Sequence, residues 1–493
     1  MAAEGRNRRL LVLFGSQTGC AEEVAHRIGR EAAKRFFRPV VMGMDAYDVT
    51  ELPSESLVVA VTSTTGQGDA PDTMRAFWAF LLRKSLPPDS LDSVSFSVFG
   101  LGDSSYAKYN TAAKRLARRL EGLGASCMLD IGLGDDQDRA GYDQALDPWL
   151  ASLWPALLAK CPLPEGAAVD ESASLPPARY AVGVLAGDAV GSNGRESTGP
   201  PAGGWSQRQP FLARMLRNQL LTSGVDREVR HLELDIAGSG FVYAPGDIVA
   251  VQPRNRREEV EVFARELGLD LSLQVSIAPA DPTSDPPPPP PLCGWGPVSL
   301  SEVLTKHVDF MATPRRYFFE MLAFFCPDGD QQERLEEFAS VAGRDDLYEY
   351  CIKQKRSCYE VLRDFPAARP PLAYLLDLIG PIRPRLFSIS SGPSVAPDRL
   401  SITAAMVAYT SKTLLERRGV CTSFLASGGV PRPSGPEAGL SHPEVGLSHP
   451  EAGPSNPEAG PSSLASGPGG TVPVWLKKGT MALPVPKDSE DLG

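Results

Sequence analysis

The stretch Leu10-Leu11-Val12-Leu13-Phe14-Gly15-Ser16-Gln17-Thr18-Gly19-Cys20-Ala21 decides how the first third of the chain folds. Its first five residues are all apolar, the pattern of a strand covered on both faces. Directly behind it, Val24, Ile28 and Ala32 recur at helical spacing, so a helix starts from the loop itself. Successive backbone N–H groups at a helix N-terminus form an anion site, and the Ser16 and Thr18 hydroxyls add donors. The loop has no lysine, so it is not the triphosphate cradle of a Walker P-loop. A monophosphate held by neutral donors fits it; a plain Gly/Ser turn is the alternative.

Working outward, residues 57–62 and 96–100 read as further buried strands, and a short strand is expected near 127–132. Ala113, Leu116, Ala117 and Leu120 mark a helix closed by Gly122 and Gly124, and another is expected over 145–158. Short apolar strands alternating with amphipathic helices make a parallel, doubly wound α/β sheet. Ligands of such sheets bind at the strand carboxyl ends. Three more loops gather there: Ser63-Thr64-Thr65-Gly66-Gln67-Gly68-Asp69, Leu101-Gly102-Asp103-Ser104-Ser105-Tyr106-Ala107-Lys108-Tyr109-Asn110 and Leu133-Gly134-Asp135-Asp136. Their glycines admit a flat ring close to the backbone, and Tyr106 is suited to stack on it.

The 493 residues suggest two or three domains. Apolar residues at 42% and charged ones at 22% suit a chain with packed cores. A net charge of −11 argues against nucleic acid as a partner, because a phosphate-binding surface wants positive charge. It suits a basic protein partner or a small cofactor. The eight cysteines form no C-x-x-C pair and the five histidines no H-x-x-x-H pair, so neither a metal site nor a disulfide framework is expected. No apolar run reaches the roughly eighteen residues of a membrane span, and no signal-peptide core is present. A cytoplasmic protein is expected.

Three low-complexity stretches punctuate the chain. Residues 159–209 become rich in Pro, Gly, Ser and Ala and read as a flexible linker. The proline run 286–291 reads as an extended loop. Residues 427–470 repeat a seven-residue unit, Gly439-Leu-Ser-His-Pro-Glu-Val445, then 446–452 and 453–459. Pro and Gly in every unit exclude a coiled coil, so a disordered insertion is expected.

Between these stretches, 229–236 and 247–253 read as antiparallel strands joined through Gly238-Ser239-Gly240, and 255–378 as mostly helical. Ser299 and Glu302 have capping-box spacing, and Thr313-Pro314 reads as an N-cap followed by Pro at N1. Strands return at 385–390, 400–409 and 472–476. Arg385-Leu386-Phe387-Ser388 and Gly419-Val420-Cys421-Thr422 combine a planar guanidinium fork with a glycine-opened turn, a pattern able to hold a pyrophosphate. An ordinary edge strand is the alternative for the first.

With these motifs in this order, residues 10–158 resemble the FMN domain of the diflavin reductases. Residues 210–483 resemble the family's FAD domain. The motifs G-S-Q-T-G, S-T-T-G-Q-G-D and L-G-D-S-S-Y-A-K-Y-N most resemble the NADPH-dependent members that serve cytosolic iron–sulfur protein assembly. The resemblance implies a flavodoxin-like doubly wound parallel sheet over 8–158, then an antiparallel β-barrel with a helical insertion over about 255–378.

For FMN it implies contacts from Ser16, Gln17, Thr18, Gly19, Cys20 and Ala21 at the phosphate. Ser63, Thr64, Thr65 and Gly66 would lie on one side of the ring. Leu101, Gly102, Asp103, Ser104, Ser105, Tyr106, Ala107, Lys108, Tyr109 and Asn110 would lie on the other, with a polar contact from Asp136. Thr65 stands where cytochrome reductases carry a second stacking tyrosine. For FAD it implies Arg385, Leu386, Phe387 and Ser388, the turn Gly419, Val420, Cys421 and Thr422, and Lys355, where relatives carry an arginine. Hydride would pass from NADPH to FAD and single electrons through FMN to an anamorsin-type acceptor. No side chain is assigned as catalytic, since the flavins carry the chemistry. After residue 476 the sequence shows no G-x-G-x-x-G turn and ends at Gly493. The family's NADPH domain is therefore expected to be absent and 484–493 to be a tail; the alternative function is a truncated isoform that binds flavins and acceptor without using NADPH.

Overall fold

The computed structural model describes residues 8–66, 68–169, 175–185, 201, 204–222, 227–244, 246–280, 297–410, 416–429 and 470–479. The proline run, almost all of the seven-residue repeat stretch and the expected tail lie outside them. The first strand, β1 (Arg9–Gly15), leads into α1 (Cys20–Ala33), as its apolar run and the helical spacing behind it predict. β2 (Arg38–Gly43), β3 (Leu57–Ser63) and β4 (Ser95–Gly102) join it in a parallel sheet ordered β2-β1-β3-β4. The fifth place is shared by β5 (Ser126–Cys127) and β6 (Gly132–Asp135), both parallel to β4, where a single strand over 127–132 was expected. The chain reverses its direction of winding between β1 and β3, the kind of switch point at which such sheets bind ligands.

Both faces of this sheet are covered, and the odd–even alternation within β1 sorts its side chains between them. Leu10 and Val12 pack with α1 and α4 (Asp143–Lys160) through Val24, Ile28, Leu150 and Leu153. Leu11 and Leu13 pack with α2 (Arg75–Leu81) and α3 (Thr111–Glu121) through Phe77, Leu81, Leu116 and Leu120.

The second region is built on an antiparallel sheet. It comprises β8 (Phe211–Leu220), β9 (Val229–Asp235), β10 (Ile248–Val251), β13 (Arg385–Ser388), β14 (Arg399–Ala405) and β17 (Thr471–Lys477). The order is β13-β10-β17-β8-β9-β14. β9 and β10 are therefore not neighbours, contrary to the reading of them as a joined pair. The connection 236–247 is far longer than a two-residue hairpin loop. The fully apolar β10 takes a central place between β13 and β17 instead. The expected barrel is seen as an antiparallel sheet: its two end strands meet through the single bridge Ile389–Ile402, and no closed ladder runs around it among the described residues.

A helical layer follows the expected span: α5 (Arg257–Leu267), α6 (Leu300–Lys306), α7 (Arg316–Ala323), α8 (Gly329–Ala339), α9 (Arg344–Leu347), α10 (Cys358–Asp364) and α11 (Leu372–Leu378). Phe263, Phe310, Phe319 and Phe338 fill its core. It also contains a small sheet in which β11 (Gln274–Pro279) pairs with β12 (Val298–Ser299) and with β7 (Tyr180–Leu185). β7 comes from the stretch read as linker. Tyr180 is buried and Arg179 is ion-paired with Asp377, so this part of the linker is built into the second region.

Ser299 caps α6 by accepting the Glu302 N–H at 3.1 Å. The cap expected at Thr313-Pro314 moves: α7 starts at Arg316, and Arg315 precedes it in extended conformation without a side-chain cap. The chain closes through β15 (Ala408–Thr410), β16 (Glu416–Arg418) and α12 (Val420–Ala426) before β17. No helix among the described residues is long and apolar enough to cross a membrane.

Candidate functional site

The four sequence-predicted loops all leave carboxyl ends of the parallel strands, so they meet at one edge across the switch point. Between β1 and α1, Gly19 has a φ of 98°, a left-handed turn that glycine makes without strain. It lets Cys20, Ala21 and Glu22 open the helix with N–H groups that have no intrahelical carbonyl to bond. The loop is braced from the side. Ser16 N donates to Thr73 Oγ1 at 2.7 Å, and Thr73 Oγ1 donates to Ser16 O at 3.0 Å.

The Gln17 amide exchanges two bonds of 3.0 Å with Asp72, one to its carboxylate and one from its N–H. Ser16 Oγ accepts the Gly19 N–H at 2.9 Å. Two of the expected phosphate ligands, the Ser16 and Gln17 side chains, therefore frame the loop itself. The side chain of Ala21 is buried, so it offers only its N–H. Thr18 Oγ1 and the first-turn N–H groups are the donors that remain.

The second loop is closed by Thr65 N to Asp69 O at 3.0 Å and Asp69 N to Thr65 O at 2.8 Å. A Cβ on Gly68 would come within 2.9 Å of Lys108 Cβ, so glycine there allows the second and third loops to pack together. Asp103 accepts from Ser105 Oγ at 2.6 Å and Ser105 N at 2.9 Å, which holds its carboxyl below the usual range. Asp135 Oδ1 accepts from Ser104 N at 2.9 Å and Gln137 N at 3.0 Å, and Asp136 N donates to Gly102 O at 2.9 Å. These bonds lock the third loop to the fourth.

Tyr106 is left 63% exposed at their rim. Leu101 and Asn110 do not line the rim: both are buried, and Asn110 donates Nδ2 to Gly134 O at 3.0 Å. Asn110 takes a φ of 53° just before α3. It builds the loop from inside.

In the second region, Arg385 and Ser388 are exposed on β13, Leu386 is 39% exposed and Phe387 half-buried. Gly419 precedes α12, and a Cβ on it would meet Thr422 Oγ1 at 2.8 Å and Val407 Cβ at 2.9 Å. The side chains of Cys421 and Thr422 point inward. Burial pushes the Cys421 thiol up to about 12, with Arg385 acting against that shift. Thr422 Oγ1 donates to Gly419 O and accepts the Val407 N–H, both at 3.2 Å. This turn thus offers backbone N–H groups rather than side chains. Lys355 is exposed with a φ of 51°, while Arg356 is anchored to Tyr350 O at 2.9 Å and Asp364 at 2.6 Å.

Residues 12–149 match the family model described as flavodoxin, and residues 204–424 match the one described as FAD binding domain. The NADPH-dependent diflavin oxidoreductase 1 of Bos taurus is 44% identical over 429 residues, 85% of this chain and 70% of that protein. The protein of that name from Xenopus laevis is 38% identical over 496 residues, 98% of this chain and 75% of the relative. That of Arabidopsis thaliana is 39% identical over 440 residues, 86% and 70% respectively. The chain belongs to the family of NADPH-dependent diflavin oxidoreductases. It is accordingly an oxidoreductase, with FMN the cofactor of its flavodoxin part and FAD that of its FAD-binding part.

The residues present fit both flavins of that family. At the FMN edge, neutral donors at a helix start, a glycine-opened backbone and an exposed aromatic suit a monophosphate and a flat ring. At the FAD side, Arg417 is a finding the sequence reading missed. Its Nη1 pairs with Glu360 at 2.6 Å, while its buried Nε and Nη2 have no hydrogen-bond partner among the described residues. Glu360 in turn belongs to a reciprocal capping box with Ser357, which ties the segment behind Lys355 to the turn at Gly419. The spacing Ser357-Cys-Tyr-Glu360 was the available signal. Thr73, Asp72, Arg315, Arg383 and Lys477, which surround the first loop, carried none, because they become neighbours only through tertiary packing.

Proposed function

We propose that this chain passes electrons from NADPH by way of FAD and FMN to a cytosolic iron–sulfur assembly protein of the anamorsin type. When bound, the two flavins supply hydride acceptance and one-electron transfer, and the protein supplies binding, orientation and exclusion of water. On this reading Thr18 and the N–H groups of Cys20 to Glu22 hold the FMN phosphate. Ser63 to Gly66 lie along one side of its ring, Gly102 to Tyr109 along the other with Tyr106 as the stacking partner, and Asp136 adds a polar contact. Arg385 to Ser388, the N–H groups of Gly419 to Thr422, and Lys355 hold FAD.

The observation that carries the reading is the edge where four loops meet around the exposed Tyr106, on a chain whose family uses two flavins. Asp69, Asp103, Asp135, Asp136 and Asp138 give this edge a negative field, which supports an acceptor that presents a basic patch. Flavins released from the purified protein are expected at one FMN and one FAD per chain. Thr18→Ala and Tyr106→Ala should lower FMN alone, and Arg385→Ala FAD alone. Variants that lose both flavins together, or neither, would refute these assignments. For the acceptor, protein reduced photochemically and mixed with the iron–sulfur partner should bleach the cluster absorbance; no transfer from fully loaded protein would discard that partner.

A further inference from the structure

The loop read as the FMN-phosphate cradle carries no cation of its own, and the two residues that follow Cys20-Ala21 in α1 are Glu22 and Glu23. Acidic side chains in a first turn complement the helix dipole, but they oppose a phosphate approaching the same N–H groups. A third carboxylate, Asp72, grips the Gln17 amide. Each of the three is paired with a cation from the second region. Arg383 Nη2 lies 2.6 Å from Glu22, Arg315 Nη1 lies 3.0 Å from Glu23, and Lys477 Nζ lies 2.5 Å from Asp72.

The guanidinium of Arg383 also rests on the loop itself. A Cβ on Gly19 would come within 2.7 Å of its Nη2 and 3.1 Å of its Cζ. Arg315 Nη2 donates to Cys20 Sγ at 2.7 Å and its Nη1 to Tyr142 Oη at 3.1 Å. The three cations come from the turn before β13, the residue before α7 and the last residue of β17. Sequence proximity cannot have gathered them; only the docking of the two regions does.

We infer that Arg315, Arg383 and Lys477 complete the FMN-phosphate site from the second region, so that FMN retention is coupled to docking. This rests on the reading of residues 16–21 as the phosphate loop. With the regions docked, the collar of carboxylates around the loop is neutralised. When they part, Glu22 and Glu23 lose these partners beside the phosphate, and Asp72 keeps only Arg75 at 3.1 Å. The coupling is reciprocal: whatever factor docking adds to FMN affinity, FMN adds to docking.

The test compares FMN with riboflavin, which has the same ring and no phosphate. Full-length chain stripped of FMN is titrated with each ligand by quenching of flavin fluorescence. In the Arg315→Gln/Arg383→Gln double variant, the FMN Kd should rise about tenfold while the riboflavin Kd stays within about twofold. Adding Glu22→Gln to that variant should restore most of the FMN affinity, because it removes the repulsion; a misfolded loop would not be repaired this way. FAD content equal to that of the unaltered chain reports that the variant is folded.

Equal losses for both ligands overturn the inference. So does an unchanged FMN Kd in the double variant while Thr18→Ala weakens FMN, which leaves the loop assignment standing. FMN binding no tighter than riboflavin in the unaltered chain removes the loop assignment and the inference with it.

Discussion

His307 lies at the end of α6, 9% exposed, with its backbone carbonyl accepting the Ile382 N–H at 2.7 Å. Burial, reinforced by Lys306 and Arg254, lowers its pKa from 6.5 to about 3. The folded chain therefore keeps this imidazole neutral where the unfolded chain protonates it. Between about pH 6.5 and 3 the unfolded state binds more protons, so stability rises with pH across that window and falls on acidification. Each tenfold difference in proton affinity corresponds to about 1.4 kcal/mol, which makes the loss by pH 4 on the order of a few kcal/mol. Urea midpoints of the unaltered chain and of His307→Gln at pH 7.5, 5.5 and 4.5 isolate this contribution from the titrating carboxylates. The gap between the two should move in favour of the variant as pH falls; parallel curves would mean that His307 is not held neutral.

At the scale of elements, the joint between α10 and β16 is built from few contacts. Ser357 N donates to Glu360 Oε2 at 2.8 Å and Glu360 N donates to Ser357 Oγ at 3.2 Å, while Glu360 Oε1 accepts Arg417 Nη1 at 2.6 Å. Ser357→Ala should cost about 1 kcal/mol of stability as a lost cap. It should also lower FAD content, since Glu360 would then hold Arg417 with one fewer restraint. Loss of stability with unchanged FAD content would confine the box to a structural role.

This joint also shows what the sequence could and could not reveal. The capping spacing of Ser357 and Glu360 was there to be read, as was that of Ser299 and Glu302, because capping is local physics. β1 and β3 were legible for the same reason, since four or more buried apolar residues in a row admit little else, and β4 was legible from Phe96, Val98 and Phe99 around a single serine. β2 hid behind Arg38-Pro39, and β7 hid in a stretch whose Pro and Gly content outweighed its apolar pattern. The pairing of β10 with β17, more than 200 residues away, has no local signature at all. In the loop 16–21 the residue types were legible. Which side chains stay free was not, since Ser16 Oγ accepts the Gly19 N–H and the Gln17 amide is held by Asp72.

Over the whole molecule, the two regions have separate apolar cores, and ion pairs such as Arg383–Glu22, Arg315–Glu23, Arg316–Asp147 and Arg139–Asp345 run between them. The contacts differ in kind. Arg139–Asp345 joins the regions in the open, with 77% and 41% of the side chains exposed, and such pairs contribute little. Arg316–Asp147 is the opposite case, with exposures of 9% and 5%. Arg316 Nη1 reaches both carboxylate oxygens at 2.8 and 2.9 Å, its Nε donates to Ala339 O at 2.7 Å, and Arg27 supports Asp147 from α1 at 2.8 Å.

Removing one member of a buried pair costs about 3–5 kcal/mol when the other is stranded. Asp147 keeps Arg27, so Arg316→Met should cost less, about 2 kcal/mol. Because each region has its own core, that cost should appear as undocking rather than unfolding. The hydrodynamic radius should grow and a single thermal transition should split into two, while far-ultraviolet circular dichroism stays unchanged. Arg316→Lys, which keeps the charge and loses the planar fork, should fall between, and Arg139→Ala should match the unaltered chain. One cooperative transition at an unaltered Tm in Arg316→Met would show that the buried pair does not hold the regions together.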